Sequence, residues 1–385
     1  MLRHYITKNG KSMRCGYTTG SCAAGAAMAA TRYLLTGAVP EVVVLDTPKG
    51  IRLELEPVDP SAGEGWARCA IQKDSGDDPD ITNGILIYAT AQKCPEGVAI
   101  DGGEGVGRVT KEGLDQPVGA AAINSTPRRM IAEGVRAVCD ELGYGGGIQI
   151  TVSIPDGAAL AKKTFNPRIG IVGGISVIGT TGIVEPMSNA ALVDTIRLEL
   201  SVLSAAGNRG VLLCPGNYGE TFARETLGMD MSRQVSVSNF IGDGIEAAVG
   251  FGFRRILLVG HIGKLVKLGI GLHNTHSAYG DGRMETLIAC ALECGGELDL
   301  LKEILSCVTT DAALEAIDRR GLLRPVMDTL GRRIQATLER KVPVGTEIGF
   351  ICFTNADPWK GVLMKSENAD RLAEEWRAER GGENG

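Results

Sequence analysis

Three strand–loop–helix units follow one another in the second half of the chain. Their apolar strand patterns are residues 211–214, 234–237 and 255–259. Such a succession predicts a parallel sheet with helices on its faces, and ligands bind such sheets beyond the carboxyl ends of the strands. The loops that follow the strands are therefore predicted to line one rim: residues 215–219, 238–243 and 260–264.

A glycine-rich stretch, residues 170–188, precedes these units. It contains five glycines, two adjacent threonines and a Glu-Pro pair between short β-branched runs. Glycine lets the backbone approach a ligand closely, and hydroxyls and bare N–H groups then bind polar atoms. The pattern predicts a buried strand, a tight loop and the entry to a helix. A tight strand connection without a ligand explains the same residues.

The chain length of 385 residues is enough for two domains of about 100–200 residues each. We predict an N-terminal α+β domain over residues 1–165, with a glycine-rich substrate loop at 101–110. Residues 166–385 are predicted as a Rossmann-like α/β domain with a mainly parallel sheet and C-terminal helices. The charged tail from residue 365 is predicted as an exposed helix that frays.

Composition argues against some classes of function. The net charge is −6, whereas nucleic-acid binders normally carry a basic face. The alanine-rich run at residues 22–30 is shorter than the roughly 20 apolar residues that a membrane span needs. Ten cysteines lack a repeating pattern, and no signal peptide is evident, which favours free thiols in a reducing compartment. We expect a cytoplasmic protein that binds neither nucleic acid nor membrane.

Candidate binding residues in the first half are hydroxyls and arginines. Thr19 or Ser21 is a plausible N-cap for the alanine-rich helix. The glycines at 102, 103, 105 and 107 do not follow Gly-x-Gly-x-x-Gly, so that segment is predicted as a flexible loop and not as a dinucleotide fingerprint. Arg128 and Arg129 at the head of a helix suit carboxylate or phosphate recognition, and an exposed helix turn explains them equally well.

The segment Gly-His-Ile-Gly-Lys-Leu begins at Gly260. Leu265 stands where a P-loop has the Ser or Thr that holds magnesium, which argues against a Walker nucleotide site. His261 and Lys264 at a strand's carboxyl end still predict an anion-binding corner.

Three of the four histidines lie between positions 261 and 276. A zinc site would combine two pairs of potential ligands, His273 with His276 and Cys290 with Cys294. The pairs lack the spacing of a zinc module, and free cysteines commonly pack as small core residues, so we predict no metal. The absence of a Gly-x-Ser-x-Gly elbow from the sequence disfavours covalent hydrolysis.

Taken in order, the motifs resemble the CbiD family, the cobalt-precorrin-5B C1-methyltransferases of anaerobic cobalamin biosynthesis. The resemblance covers roughly residues 10–355. It rests on Gly-Tyr-Thr-Thr-Gly-Ser-Cys from Gly16, Asp-Gly-Gly-Glu-Gly-Val-Gly-Arg from Asp101, Pro-Arg-Arg from Pro127, the glycine-rich stretch, Ser-Asn-Phe-Ile-Gly-Asp from Ser238, Gly-His-Ile-Gly-Lys from Gly260, Asn-Thr-His-Ser from Asn274 and Arg-Met-Glu from Arg283.

The resemblance implies transfer of a methyl group from S-adenosylmethionine to C1 of cobalt-precorrin-5B, which gives cobalt-precorrin-6A. It makes this tetrapyrrole the small-molecule partner and leaves homo-oligomer formation open. Within this interpretation we expect Glu185 and His261 near the reacting centre. The expected cofactor-binding residues are Gly173, Gly174, Thr180, Thr181, Gly182, Gly216, Asn217, Asn239 and Asp243. The expected substrate-binding residues are Thr18, Thr19, Asp101, Arg128, Arg129, Lys264, Asn274, His276, Ser277 and Arg283.

Two other functions stay open from the sequence. A nucleotide-dependent oxidoreductase fits a parallel sheet, although the dinucleotide fingerprint is missing. A non-enzymatic corrinoid or tetrapyrrole carrier would bind the macrocycle without turnover.

Overall fold

A computed structural model of the protein describes residues 2–8 and 10–378. The chain divides into two compact units, Met1–Asn189 and Ala190–Gly385. Both units mix helices with strands, in agreement with the predicted combination of α+β and α/β structure.

The first unit contains mostly short strands and two long helices. Its strands are β1 Tyr5–Lys8, β2 Lys11–Arg14, β3 Gly16–Tyr17, β4 Val43–Asp46, β5 Arg52–Leu55, β6 Val58–Gly63, β7 Trp66–Gln72, β8 Leu86–Cys94, β9 Val98–Gly102, β10 Arg108–Val109, β11 Gly147–Ser153, β12 Ile171–Val172 and β13 Ile183–Val184. Its helices are α1 Thr19–Thr36, α2 Ser125–Glu141, α3 Gly157–Ala161 and α4 Asn166–Ile169.

The core of the first unit lies between a five-stranded sheet and the helix pair α1 and α2. The strand order is β6-β7-β8-β11-β9, antiparallel except for the parallel pair β11 and β9. Alternate residues of β11, namely Ile148, Ile150 and Val152, are buried in this core, as the two-residue period of a strand requires. The alanines of α1 are buried on nearly every side, and their small side chains let α1 pack closely against α2, β7 and β8.

Two expectations for the first unit are corrected. Strand β12 pairs with β10 and β13 pairs with β3, so the glycine-rich stretch belongs to the first unit, and the division falls after Asn189 instead of after residue 165. The segment expected to be a flexible loop contains the end of β9, which pairs with β11, and all of β10. Backbone pairing therefore fixes both ends of that segment.

The second unit alternates strands and helices. Its strands are β14 Gly210–Cys214, β15 Gln234–Ser236, β16 Arg255–His261, β17 Glu347–Thr354 and β18 Gly361–Lys365. Its helices are α5 Asn189–Ala205, α6 Asn217–Glu225, α7 Ile241–Gly250, α8 Ile262–Leu265, α9 Arg283–Glu293, α10 Leu298–Ser306, α11 Thr310–Asp318, α12 Leu323–Glu339 and α13 Ala369–Ala378.

The sheet of the second unit is buried on both faces. Its order is β15-β14-β16-β17-β18, with parallel pairing throughout except between β17 and the edge strand β18. Along β14, Val211 and Leu213 enter one apolar core while Leu212 and Cys214 enter the other. A continuous apolar strand is what a sheet covered on two faces requires. The predicted mainly parallel sheet is confirmed.

The strand order places a switch point between β14 and β16. Numbered within the unit, the order is 2-1-3-4-5, which matches the strand order of a flavodoxin-type sheet, although the edge strand β18 is antiparallel. It is not the 3-2-1-4-5-6 order of a Rossmann dinucleotide domain, so the predicted Rossmann-like domain is not confirmed. The chain leaves β14 toward one side of the sheet and leaves β16 toward the other. Loops diverge at such a point and leave a crevice at the carboxyl ends of the strands.

The tail from residue 365 was expected to be an exposed helix that frays. The helix is present, but one of its faces is buried, and residues 379–385 lie outside the described part of the chain. Residues Gly361–Lys365 form β18, and the following α13 buries Leu372, Ala373 and Trp376 in an apolar core. Their spacing by one, three and four places them on one helical face. Within the described ranges, no helix combines the length and the apolar character that crossing a membrane requires.

Candidate active site

In the first unit, the glycine-rich stretch is bonded to the amino end of α1. Thr18 is the N-cap instead of the predicted Thr19 or Ser21, and its Oγ1 accepts a hydrogen bond from the Ser21 N–H at 3.2 Å. Thr19 Oγ1 donates to the Ile178 carbonyl at 3.1 Å and accepts from the Ile178 N–H at 3.0 Å. Ser21 Oγ donates to the Gly182 carbonyl at 2.7 Å. The structure thus gives Thr18 and Thr19 backbone partners within the unit.

Several glycines of this stretch are required by close packing. Gly182 has φ +80°, and a Cβ there would lie 2.8 Å from Thr47 Cβ. A Cβ on Gly174 would lie 2.1 Å from the Gly105 carbonyl oxygen. Gly173, with φ +84°, faces open space, and Thr180 and Thr181 are exposed. The stretch therefore packs closely against the rest of the first unit at Gly174 and Gly182 and is accessible at Gly173, Thr180 and Thr181.

The charged residues predicted in the first unit are mostly engaged with each other or with backbone. Glu185 forms an ion pair with Lys49. Asp101 forms a two-pronged ion pair with Arg108, with N–O distances of 2.7 and 3.0 Å, and the Arg108 hydrogen bonds lower the pKa of that carboxyl.

The two adjacent arginines differ in their surroundings. Arg128 donates to the carbonyls of Ile123, Ile100 and Ala121 at 2.8, 3.0 and 3.3 Å, and burial lowers its pKa. Its guanidinium therefore ties α2 to neighbouring backbone. Arg129 is exposed and has no ion pair with any residue that the structure describes.

In the second unit, Lys264 lies at the switch point of the sheet. Its Nζ donates to the Ser238 carbonyl at 3.1 Å and lies 3.3 Å from where a Cβ on Gly216 would be. It thus joins the loops after β14, β15 and β16. Burial lowers its pKa, because desolvation disfavours the charged ammonium. Ser238 itself has φ +48°, a left-handed conformation that is uncommon for a residue other than glycine.

His261 ends β16 beside Lys264 and lies among aromatic rings. Its Nδ1 accepts a hydrogen bond from the Gly263 N–H at 3.1 Å, so the neutral ring carries its proton on Nε2. The ring meets Phe353 edge-on with centroids 5.5 Å apart, and Tyr218 lies 6.2 Å away. Burial lowers the pKa of His261, and the negative charge of Asp311 opposes that shift.

The loop after β14 opens α6. Gly216 has φ +94° and precedes the helix, where no side chain caps the first turn. Asn217 and Tyr218 follow, both exposed, and Tyr218 has 72% of its surface accessible. In the first turn of α7, Asp243 is half-buried and has no hydrogen-bond partner within the described part of the chain.

The segment 274–283 is bonded to the loop after β15. Asn239 Oδ1 accepts from Thr275 Oγ1 at 3.1 Å, and the Thr275 N–H donates to the Asn239 carbonyl at 2.9 Å. Asn274 Oδ1 accepts from the His276 N–H at 3.0 Å. His276 and Ser277 are exposed.

Arg283, also predicted to bind substrate, is paired with Asp281 at 2.5 and 2.8 Å, and these hydrogen bonds raise the pKa of Arg283. Its charge is largely compensated. The zinc alternative finds no support in the geometry: within residues 2–8 and 10–378 no group of three or more His, Cys, Asp or Glu side chains is arranged to hold a metal ion. The Cys290 thiol lies in the core, where burial raises its pKa to about 11.

Sequence reasoning did not single out Tyr218, Phe353 or Asp311. Tyr218 falls in a loop that was predicted to line the rim, and its aromatic ring next to a glycine turn was an available signal. Phe353 and Asp311 come from β17 and α11, far along the chain from His261, and no local pattern indicates their proximity.

Comparison with known proteins assigns the family. A family model described as CbiD matches residues 6–186, and another described as CbiD, C-terminal domain, matches residues 274–361. A protein from Ruminiclostridium cellulolyticum, named cobalt-precorrin-5B C(1)-methyltransferase, is 44% identical over 354 residues, which are 92% of this chain and 92% of that protein. The chain belongs to the CbiD family. The resemblance read from the motifs is confirmed.

A second curated relative of this CbiD-family chain agrees. A Thermoanaerobacter protein with the same name is 48% identical over 319 residues, 83% of this chain and 86% of its own. A solved structure titled as a cobalamin biosynthesis protein (cbiD) from Archaeoglobus fulgidus is 28% identical, covers 75% of this chain and 87% of that chain, and gives a TM-score of 0.39. The switch-point loops after β14, β15 and β16 lie between the two family-model matches.

Proposed function

We propose that this CbiD-family chain methylates C1 of cobalt-precorrin-5B in cobalamin biosynthesis, with S-adenosylmethionine as methyl donor. The observation that carries the proposal is the 44% identity, along 92% of both chains, to a protein named for that reaction. The donor, the cytoplasmic location and the site residues are parts of the proposal. The dinucleotide-dependent alternative is disfavoured by a strand order that differs from the Rossmann order.

We place the methyl donor at the crevice between β14 and β16, where Rossmann-like and flavodoxin-type sheets alike bind their ligands. Polar groups with unused bonding capacity support this placement. The Asp243 carboxylate is free to accept ribose hydroxyls, and the uncapped first turn of α6 offers backbone N–H groups after Gly216. Asn217 and Asn239 complete the proposed set. When bound, the donor supplies an electrophilic methyl group on a sulfonium.

Binding of the acidic macrocycle is assigned to cations that lack a carboxylate partner. Lys264 is half-buried, and its Nζ has a single carbonyl partner among the described residues. A substrate carboxylate would therefore add a charge-assisted hydrogen bond and offset the desolvation of the ammonium. Considered within the first unit alone, Arg129 is an exposed cation without an ion pair among the described residues, and it is the candidate there. Thr18, Thr19 and Arg128 instead form hydrogen bonds that hold the backbone of the first unit in place.

The chain's own contribution to the chemistry is chiefly alignment. Transfer from sulfur to carbon is an in-line displacement in which the C–S bond breaks as the C–C bond forms, and positioning lowers its barrier. His261 is neutral near pH 7 because burial lowers its pKa, and its Nδ1 is already bonded to the Gly263 N–H. We therefore give His261 the role of hydrogen-bond donor through Nε2 near the reacting centre. Glu185, whose carboxylate is paired with Lys49 in the first unit, stays a proposal for balancing charge.

The test is anaerobic incubation of the full chain with cobalt-precorrin-5B and methyl-labelled S-adenosylmethionine, followed by mass spectrometry and NMR of the tetrapyrrole. One labelled methyl group at C1 is the expected result, and heat-denatured protein is the control. Tetrapyrrole that binds without gaining label would overturn the methyltransferase proposal and favour the carrier. Label at a different carbon would overturn the proposed position.

A further inference from the structure

A basic depression lies at the amino ends of the strands in the second unit. Lys264 and His261 lie at the other end of the strands, the carboxyl end. Its volume is about 890 Å³. The charged residues that line it are Arg209, Arg254, Arg255, Arg371, Glu347 and Glu375. Nothing in the proposed methyl transfer uses these side chains.

The arginines that line this depression differ in their ion pairs. Arg255 pairs with Glu375 at 3.3 Å, and Arg371 pairs with Glu347 and Glu375 at 2.8 Å each. Among the described residues that line the depression, two carboxylates face four guanidinium groups, and Arg255 has a further partner besides Glu375. Arg209 and Arg254 are exposed and have no acidic partner among the residues that the structure describes. In a chain whose net charge is −6, this is a local excess of positive charge.

The two unpaired arginines are held side by side by the backbone. The Arg254 and Arg255 N–H groups both donate to the Arg209 carbonyl, at 2.8 and 3.1 Å. The Glu347 N–H donates in turn to the Arg254 carbonyl at 2.8 Å. Since the starts of β14, β16 and β17 are cross-linked in this way, the cations emerge from fixed backbone positions. Fixed positions reduce the ordering cost of binding a ligand.

A buried hydroxyl adds a second observation. Thr346, which also lines the depression, is only 9% exposed. Its Oγ1 has no hydrogen-bond partner within the described part of the chain. Buried polar atoms are normally paired, so an unpaired one calls for an explanation. An acceptor oxygen from a ligand would pair it.

We infer that this depression binds a small anion with two or more phosphate or carboxylate groups. Guanidinium forks match the oxygens of both groups in two-pronged geometry. Arg209 and Arg254 supply the uncompensated charge, Arg255 and Arg371 line the wall, and Thr346 donates its hydroxyl. The site is independent of the proposed methyl transfer.

The test is isothermal titration of the full chain with two probes, pyrophosphate and citrate. We expect saturable 1:1 binding of at least one probe, weakening as salt is added. The double variant Arg209→Gln/Arg254→Gln should weaken that binding at least tenfold. Which probe binds tells a phosphate ligand from a carboxylate ligand.

The matched control is Arg136→Gln/Arg324→Gln, which removes the same charge from two exposed arginines elsewhere and should leave binding unchanged. Thr346→Val should weaken binding severalfold through loss of one donor. The inference is overturned if neither probe saturates, or if the control pair weakens binding as much as the Arg209/Arg254 pair. Methyl transfer should be the same in all of these variants, so a failure here is separate from a failure of the proposed function.

Discussion

The first turns of α1 and α2 in the first unit and the carboxyl edge of the sheet in the second unit carry similar residue types but use them differently. In the first, Thr19 exchanges two hydrogen bonds with Ile178, and Arg128 donates to three carbonyls. In the second, Lys264 has one carbonyl partner, and the Tyr218 ring is largely exposed. The first set holds backbone in place, and the second retains capacity for a ligand.

The difference lies in how many bonds each polar group has left. When a buried donor makes all of its hydrogen bonds within the protein, its removal lowers the free energy of unfolding of the protein. A half-buried cation with few partners costs desolvation energy in the empty protein and recovers it when an anion binds. Stability and activity should therefore separate between the two regions, and the following variants test that separation.

The largest effect on stability is expected for Arg128→Met. The change removes the guanidinium donor from three carbonyls, of which, within the described residues, only that of Ala121 keeps another donor, the Ile123 N–H. We expect a loss of about 2 kcal/mol or more in the free energy of unfolding. The KM for cobalt-precorrin-5B, measured below the melting transition, should change little. Urea denaturation and steady-state kinetics give the two quantities.

Arg129→Met is the matched control, because Arg129 neighbours Arg128 in sequence and is exposed. It should leave the free energy of unfolding unchanged, and any effect should fall on KM. The structural role of Arg128 is contradicted if both variants change the free energy of unfolding equally. It is also contradicted if Arg128→Met raises KM without destabilising the protein.

Lys264→Met should act on activity instead. Loss of a charge-assisted hydrogen bond to a substrate carboxylate corresponds to about 1.5–3 kcal/mol, or roughly 10–150-fold in kcat/KM. Stability should stay within about 1 kcal/mol, because the desolvation of the ammonium is removed together with one hydrogen bond. Methyl-transfer rates and thermal melting measure these outcomes.

Lys267 provides the contrast for this variant. It is 4% exposed, and its Nζ donates to the carbonyls of Thr275 and Gly280 at 3.1 Å each. Lys267→Met should therefore destabilise the protein much more than Lys264→Met. If Lys264→Met proves to be the destabilising change and leaves kcat/KM intact, Lys264 is a structural residue.

The sequence predicted the architecture better than the site. Continuous apolar runs such as β14 predict strands buried on both faces, so the parallel sheet and its rim followed from pattern alone. The sequence singled out Thr19 and Arg128 as expected substrate-binding residues. In the structure their side chains form hydrogen bonds with the backbone of Ile178 and Ile100. Such partners come from chain segments that only the fold brings together. The strand order, and with it the switch point, is likewise absent from local pattern.

Tyr218→Ala should have a smaller effect, confined to the second unit. An exposed ring beside His261 offers a flat apolar surface to the purine of the donor or to the macrocycle. Its removal should weaken binding by about 1 kcal/mol, roughly fivefold. Tyr218→Phe keeps the ring and should bind as the unmodified chain does. Titration with S-adenosylhomocysteine and with the tetrapyrrole identifies the stacked ligand, and equal affinities for all three proteins would remove Tyr218 from the site.

The smallest effect is the pH dependence that His261 contributes to stability. Burial lowers its pKa in the folded chain, so between that value and the unfolded value of about 6.5 the unfolded chain binds a proton that the folded chain does not. Stability should therefore fall as pH falls through this window. His261→Asn removes the titration but preserves an oxygen that can accept from the Gly263 N–H, since Asn is a favourable N-cap. Urea denaturation between about pH 7.5 and about pH 5 should give a shallower slope for His261→Asn than for the unmodified chain. Equal slopes would mean that the His261 ring is as well solvated in the folded chain as in the unfolded chain. His261 would then not belong to the half-buried residues at the carboxyl edge of the sheet.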